Sequence, residues 1–441
     1  MMQSESALGR ATLRKVAWRL IPFLGVLYFF AFLDRVNVGF AALTMNADLG
    51  LSAAAYGLGS GIFFLGYVLF EVPSNVLLDR FGARAWIARI MISWGVLSAA
   101  MAFIQGPASF YTVRFLLGVA EAGFFPGIIY YLTCWFPARY RARIIALFMI
   151  ALPLSSVIGA PISTSLLSIR AGGLEGWQWM FLLEAAPTIV LGFVVFRLLT
   201  NKPADAKWLT QDERNWLERE LAGETAAAEH ARTASLRQAL LMPRVWRHGV
   251  VYFTVLVGLY GFSFWLPQII ATLGSLTNVQ VGLMTTIPYA LSCIALVAWG
   301  RHSDATGERS WHVAAPPLLA ALALATSGGV ANPSLAFAAL CLAAVGIYAS
   351  LPAFWALASR GLQGAAAAGA IALINSIGNL GGFLGPTAIG YVKEQTGSYA
   401  ASLLLIALCL TLGAALVLWE RAREARARDL LHRGTMRCGD G

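Results

Sequence analysis

Apolar runs of about 20 residues, long enough to cross a bilayer, recur along this chain with short polar breaks between them. They fall near residues 18–42, 53–78, 85–104, 108–132, 142–168 and 177–199. After a polar interval they resume near 246–272, 279–300, 311–330, 334–357, 366–392 and 397–420. The pattern predicts an all-α membrane protein with twelve transmembrane helices in two sets of six. Basic residues fill alternate connections. Arg10, Arg14, Lys15 and Arg19 precede the first run, Arg80 and Arg84 follow the second, and Arg139, Arg141 and Arg143 follow the fourth. Arg301 and Arg309 follow the eighth, Arg360 the tenth, and Arg421, Arg423, Arg426 and Arg428 the last, while the other connections hold little beyond Arg170 and Lys393. Positive charge marks the cytoplasmic side, so both termini of this multi-pass chain are expected there.

The long polar interval, Asn201–Val245, carries Thr210 and Glu213 at capping-box spacing ahead of Trp216 and Leu217, with Gly223 suited to a helix end. It reads as a linker with a short amphipathic cytoplasmic helix. The expected division is a bundle over 1–200, a linker over 201–245, a second bundle over 246–420 and a basic tail over 421–441.

Composition agrees with the periodicity. Of the 441 residues, 58% are hydrophobic and 12% charged, against about 45–50% and about 25% in soluble domains. Met1–Arg19 is polar and basic and Trp18 opens a full-length run, so no separate cleavable signal is expected. The net charge of +10 follows the alternation of loops and reads as topology, not as nucleic-acid binding. Cys134, Cys293, Cys341, Cys409 and Cys438 show neither pairing nor ligand spacing. There is no zinc-type histidine pair, nucleophile elbow or phosphate-cradling Gly-Lys-Ser/Thr loop. No enzyme activity and no cofactor are expected.

The chain repeats itself. Asp79, Gly82 and Arg84, in the stretch that begins at Asn75 and includes Arg80, recur as Asp304, Gly307 and Arg309 at a constant offset of 225 residues. Two parallel, pseudo-symmetric six-helix repeats place a solute site between the halves near the membrane midplane. Gly82 and Gly307 permit a tight turn. Asp79 and Asp304 can accept from helix N-termini or from basic side chains of a neighbouring bundle.

Four charges lie deep inside the runs: Asp34 and Arg35 in the first, Arg114 and Glu121 in the fourth. At about 2.5–3.5 kcal/mol each, they cost about 10–14 kcal/mol together, which points to a polar cavity. The alternative is an ion-pair network that only holds one bundle together. Arg114 and Glu121 are seven residues apart, about 10 Å along the axis, so each needs a partner on another helix. Asp34 and Arg35 diverge by about 100°, so one can face the bundle interior and the other the central cavity. Arginine binds a carboxylate bidentately and stays charged. Desolvation favours a protonated carboxyl and a nearby arginine favours the carboxylate, so both forms come within reach near neutrality.

Other polar positions have two readings. Glu71 suits a gate or bridge between halves, or a structural contact. Arg89 reads as a snorkelling anchor, and His302 and His312 as solvated edge histidines. Asn375 and Asn379, one turn apart, give one polar face for a solute or for helix contact. Tyr260, Phe264, Trp265 and Trp355 suit a cavity wall or simple packing. Gly378, Gly381, Gly382 and Gly385 suit close helix approach, with Pro386 favouring a bend.

The repeated stretch resembles the cytoplasmic loop signature of the major facilitator superfamily. Gly300 keeps the first glycine of that signature, whereas Asn75 departs from it. Asp34-Arg35-Val-Asn37-Val-Gly39, Gly66-Tyr67 with Phe70-Glu71-Val-Pro73-Ser74-Asn75, the stretch Arg114 to Gly127 and Trp177-Gln-Trp179-Met-Phe-Leu-Leu-Glu184 are similar to the anion:cation symporter family, and within it to bacterial tartrate-type transporters. The resemblance covers nearly the whole chain. It implies a secondary active transporter that imports a small organic anion by proton symport with alternating access. The anion would be a hydroxy-dicarboxylate such as tartrate, or a related sugar or aromatic acid. The protein is expected to work as a monomer in the lipid bilayer. By resemblance to galactonate-type members, Asp34 and Glu121 are proton carriers, Arg35 the substrate clamp and Arg114 a coupling residue. Tyr67, Trp355 and Asn375 match substrate contacts, with Asn379 added from its place one turn on. The motif residues Asp79, Arg80, Gly82, Arg84, Asp304, Gly307 and Arg309 would control conformation. Leu152 stands where those members carry a glutamine on the sugar acid, which favours a smaller polyol or dicarboxylate. The competing readings are an anion uniporter or exchanger without proton coupling, and a membrane sensor that transports nothing.

Overall fold

The computed structural model describes residues 7–137, 140, 144, 148–229, 241–360 and 364–437. The helices in chain order are α1 (Ala7–Val36), α2 (Val38–Asp48), α3 (Ala53–Phe81), α4 (Ala83–Ala100), α5 (Pro107–Glu121), α6 (Phe124–Thr133), α7 (Ala151–Leu166) and α8 (Gly176–Leu198). They continue with α9 (Gln211–Glu229), α10 (Pro243–Ala271), α11 (Asn278–Thr306), α12 (Ser310–Gly329), α13 (Pro333–Ala358), α14 (Gly364–Thr396) and α15 (Tyr399–Arg437). Each predicted span contains a helix, two spans being built of pairs. α1 and α2 run on through Asn37, and α5 and α6 meet at a break over Ala122 and Gly123, just after Glu121. Among the described residues nine helical segments are long and apolar enough to cross a membrane, and α7 is a shorter apolar helix. The fold is all-α, with twelve transmembrane helices in two pseudo-symmetric bundles.

Within the first bundle α4 packs on α8 and α3 on α5; within the second α10 packs on α14, and α12 on α13 and α15. The bundles meet where α3 packs on α14, α7 on α11 and α2 on α10. The offset of 225 is visible in three dimensions. Arg35 touches Tyr260, and a Cβ on Gly39 would lie 3.0 Å from the Phe264 carbonyl. Residues that are equivalent in the two repeats meet each other there, so the pseudo-two-fold axis passes between α1/α2 and α10.

The bundles are fastened on the face opposite the termini. Tyr56 Oη donates to the Phe264 carbonyl at 2.8 Å, and the Ala54 amide to Glu394 Oε2 at 2.7 Å. Thr286 Oγ1 donates to the Val157 carbonyl at 3.3 Å. Side chains larger than hydrogen on Gly57 or Gly390 would run into the facing backbone. Gly378, Gly381 and Gly385 likewise let α14 lie against Tyr252, Phe253 and Val257 of α10, the packing reading of that stripe.

Several boundaries differ from the sequence reading. α1 starts at Ala7, well before Trp18, because its first turns are covered by the linker. Lys15 Nζ meets Glu213 Oε2 at 2.8 Å, Trp216 lies on Gly9, and Arg19 sits 5.0 Å over the Trp208 ring. The capping box is present, with Thr210 Oγ1 accepting from the Glu213 amide and Glu213 from that of Thr210. α9 runs on through Gly223 to Glu229, since one glycine in a run of good helix formers costs only about 1 kcal/mol. α15 continues to Arg437, so the basic tail extends the last helix.

Gly82 (φ +84°) and Gly307 (φ +67°) end α3 and α11 in the left-handed region, as the repeated motif requires. Asp79 Oδ1 accepts from Tyr130 Oη at 2.8 Å, Arg80 stacks 5.7 Å from the Phe81 ring, and the Arg84 amide donates to Asn201 Oδ1 at 2.9 Å. In the second copy Asp304 pairs with Arg309 at 2.8 Å, within its own loop and not with a neighbouring bundle. The Gly307 turn folds Arg309 back onto it. Arg139, Arg141, Arg143 and Cys438 lie outside the described residues. Cys134, Cys293, Cys341 and Cys409 form no disulfide among the described residues.

Candidate functional site

Close packing of α3 on α5 sets the positions of the inner charges. A Cβ on Gly118 would fall on the Phe63 carbonyl, so only glycine lets the two helices approach at that level. Arg114, one turn earlier, then reaches the α3 backbone. Its Nη2 donates to the Ser60 carbonyl at 3.1 Å and its Nε to the Gly59 carbonyl at 3.3 Å, with the Phe63 ring 5.1 Å away. Among the described residues its hydrogen bonds go to main-chain oxygens and none to a carboxylate, which suits a group that braces the wall.

Arg35 and Glu121 form the central pair. Glu121 Oε1 accepts from Arg35 Nε at 3.1 Å and from Nη2, while Nη1 donates to Tyr260 Oη at 2.8 Å. The guanidinium lies 5.4 Å from the Phe63 ring and 5.5 Å from Tyr67. It is thus held by a carboxylate of its own bundle, a phenol of the other bundle and two aromatic faces. Glu121 and Arg35 are buried, at 1% and 6% exposure.

Asp34, the next residue back, faces the other way, as the 100° step requires. Its Oδ2 accepts from Trp94 Nε1 of α4 and from Thr188 Oγ1 of α8, both at 2.8 Å. Among the described residues no arginine meets the Asp34 carboxyl. Two neutral donors hold it inside the first bundle, because α4 and α8 present a tryptophan and a threonine there.

A narrow cavity of about 40 Å³ lies between the bundles, lined by Tyr28, Arg35, Tyr67, Leu152, Tyr252, Tyr260, Asn375 and Asn379 among others. That is room for a few waters. Of the expected solute contacts, Arg35, Tyr67, Asn375 and Asn379 reach it. Trp355 does not; it is half-buried behind the lining, its ring 4.9 Å from Tyr252. Phe264 and Trp265 also stand outside the lining, Trp265 donating to the Pro386 carbonyl at 3.1 Å. Asn375 Nδ2 donates to Glu71 Oε1 at 2.8 Å, and Ser376 Oγ to Oε2 at 3.1 Å. Glu71 thus bridges α3 and α14, the inter-half reading of that residue.

Sequence reasoning left some partners unread. Trp94 and Thr188 gave no signal among many apolar neighbours. Tyr260 as the partner of Arg35 could have been found by adding 225 to 35. His302 is exposed as expected, whereas His312 is buried, and the two rings pair: His302 Nδ1 lies 2.7 Å from His312 Nε2, and His312 Nδ1 2.9 Å from Glu308 Oε2. Their ten-residue spacing across the Gly307 turn hid the pairing. Arg89 lies 4.0 Å over the Trp86 ring, as an anchor would.

Comparison with known proteins agrees with this geometry. The family model described as Major Facilitator Superfamily matches residues 24–386. A protein of Agrobacterium vitis named "Putative tartrate transporter" is 53% identical over 94% of this chain and 95% of its own. The "Quinolone resistance transporter" of Acinetobacter baumannii is 44% identical over 91% of this chain and 93% of its own. Among solved structures, an inward-facing bacterial homologue of the human lysosomal transporter Spinster superposes with a TM-score of 0.73 at 18% identity, covering 91% of this chain and 96% of that one. The chain belongs to the major facilitator superfamily and is a membrane transporter, not an enzyme.

Proposed function

We propose that this transporter imports a small organic anion, a hydroxy-dicarboxylate such as tartrate, by proton symport across the bacterial inner membrane, with both termini in the cytoplasm and one chain as the working unit. The observation that carries the reading is the Arg35–Glu121 pair on the cavity wall. A guanidinium occupied by an internal carboxylate is a site already shaped for a carboxylate ligand. Protonation of Glu121 removes its charge and releases Nε and Nη2 of Arg35, the edge that accepts a carboxylate side-on. Loss of the proton on the cytoplasmic side restores the internal pair and expels the anion. Tyr260 follows Arg35 from the second bundle, so occupancy of the arginine is felt in both halves.

Asp34 supplies the second titrating group, Arg114 braces the cavity, and Tyr67, Asn375 and Asn379 bond the solute's hydroxyls. The cavity is too small for a dicarboxylate as it stands, so binding requires the bundles to part. The contacts on the face opposite the termini fit a state closed to the outside. The turns around Gly82 and Gly307, with Asp79, Arg80, Arg84, Asp304 and Arg309, are assigned to control of that motion. Leu152 on the lining supplies no hydrogen bond, which favours a short dicarboxylate over a hexonate. The 53% identical relative named for tartrate supports the same class.

An exchanger without proton coupling is the second reading, favoured by the observation that Asp34 holds no arginine. A thermal-shift series on the purified protein with D- and L-tartrate, galactonate, malonate and phthalate tests the anion assignment. Stabilisation by a dicarboxylate is expected, and no response to any organic anion contradicts it. A pH jump on proteoliposomes separates symport from exchange.

A further inference from the structure

The stretch ending in Glu184 is absorbed by none of the roles above, yet it places a third buried carboxyl beside Asp34. Glu184 on α8 is 4% exposed. Its Oε1 accepts from Ser163 Oγ at 2.6 Å and its Oε2 from Asn37 Nδ2 at 3.0 Å. Four residues on, Thr188 donates to Asp34, and Asp34 is three residues before Asn37. Two rungs therefore link α1/α2 to α8: Asn37 with Glu184, and Asp34 with Thr188. Rungs three and four residues apart put the two carboxyls about one helical turn from each other. Between them, Asp34 Oδ1 and Asn37 Oδ1 are buried and have no hydrogen-bond partner among the described residues. Further out, on the face opposite the termini, Trp177 Nε1 donates to Asp48 Oδ2 at 2.8 Å. From Trp177, at the start of α8, Glu184 lies about 10 Å inward along the axis.

We propose that Glu184 is a proton relay that feeds Asp34 from the face opposite the termini, along α2 and α8 and separate from the solute cavity. The step moves one proton. The Glu184 carboxyl gives its O–H proton to the Asp34 carboxylate through one water, and the resulting Glu184 carboxylate is reprotonated from water on that face. The charged and titratable groups around Glu184 fit this role. On α1, Asp34 lies about one helical turn from it, while Arg35 is turned to the cavity and held by Glu121. On α2, Asp48 is bound by Trp177. On α4, Arg89 lies over Trp86, and α7 carries no charged residue. No cation answers Glu184 among the described residues, so a proton is the cheapest way to neutralise it. Both of its partners are neutral donors that fix its position without holding it permanently ionised.

This inference rests on the proton-symport reading, and its test is built to fail separately. The purified full chain is titrated by infrared difference spectroscopy as wild type, Glu184→Gln, Glu184→Asp and Asp34→Asn, with no solute present. Loss of one carboxyl signal in Glu184→Gln is expected, together with a displacement of the Asp34 signal by about tenfold or more in proton concentration, as for coupled sites. In proteoliposomes the same variant should slow proton-driven accumulation of L-tartrate by about 100-fold or more, leave tartrate exchange within about twofold, and be rescued by Glu184→Asp. An Asp34 titration identical in Glu184→Gln overturns the relay, as does a proportional loss of accumulation and exchange. Wild-type tartrate movement without protons would sink the symport reading, while the infrared titration still decides the link between Glu184 and Asp34.

Discussion

Replacing Glu121 with Gln tests the competition for Arg35 most sharply. The amide keeps the shape and one acceptor oxygen but removes the negative charge that now takes two donors of the guanidinium. Breaking a buried ion pair by removing one partner costs about 3–5 kcal/mol of stability. The two aromatic faces and Tyr260 that remain on Arg35 place the loss toward the lower end. A solute carboxylate can return the missing charge. In the wild type it must first displace Glu121, and a hydrogen bond to a charged group is worth about 1.5–3 kcal/mol. Anion affinity in Glu121→Gln should therefore rise by about 10- to 150-fold at alkaline pH, where the wild-type carboxylate competes, and change little at acidic pH. The protein without solute should melt several degrees lower and regain most of that loss with tartrate. Isothermal titration at pH 5.5 and 8.5 reads the affinities, and thermal unfolding reads the stability. If Glu121→Gln loses affinity at alkaline pH as steeply as the wild type, Glu121 is not the competitor and the scheme fails.

Tyr260→Phe removes one neutral acceptor from Arg35, about 0.5–1.5 kcal/mol, and should raise KM for uptake a few-fold with little change in expression. Leu152→Gln adds a hydrogen-bonding group to the lining and should shift the thermal-shift profile from dicarboxylates toward sugar acids; an unchanged profile contradicts the assignment of size selection to that wall. Gly118→Ala should lower the melting temperature and yield sharply, because the new methyl meets the Phe63 carbonyl; wild-type behaviour would refute the close approach of α3 and α5. Partial burial pushes the Glu213 carboxyl up, but the Lys15 ammonium and the Thr210 amide and hydroxyl outweigh it and hold the group below its ordinary range. Linker docking is then fully supported above the ordinary carboxylate range, about pH 4.3, and weakens as pH falls through the lowered value. The Lys15 partner is exposed and the pair lies at the protein surface, so the effect is at most about 1 kcal/mol; limited proteolysis of α9 from pH 7 to pH 3 should show the release, and Glu213→Gln should remove its pH dependence.

The twelve spans and the four inner charges were legible because each is dictated by a large local energy, the transfer of apolar runs and the burial of charge. The opposite directions of Asp34 and Arg35 followed from helical geometry alone. What the sequence concealed was pairing between distant elements. Nothing local distinguishes Glu121 from Asp34 as the partner of Arg35; the choice is made by which helix brings a tryptophan and a threonine and which brings a carboxylate. Trp355 was placed on the cavity by resemblance to galactonate-type members, yet Tyr252 stands in front of it, a matter of rotation about the helix axis. Glu71 was read as a bridge or a contact, and its partners on α14 became visible only once the halves were packed. The histidine pair across Gly307 depended on a turn that folds ten residues back on themselves.

Anion-driven proton entry is the most direct measure of the central claim. Proteoliposomes loaded with a pH dye at symmetrical pH receive external L-tartrate, and internal pH and labelled tartrate are followed together. The account predicts internal acidification that rises with tartrate uptake in the wild type and disappears in Arg35→Ala. Tartrate uptake with no change in internal pH would contradict it.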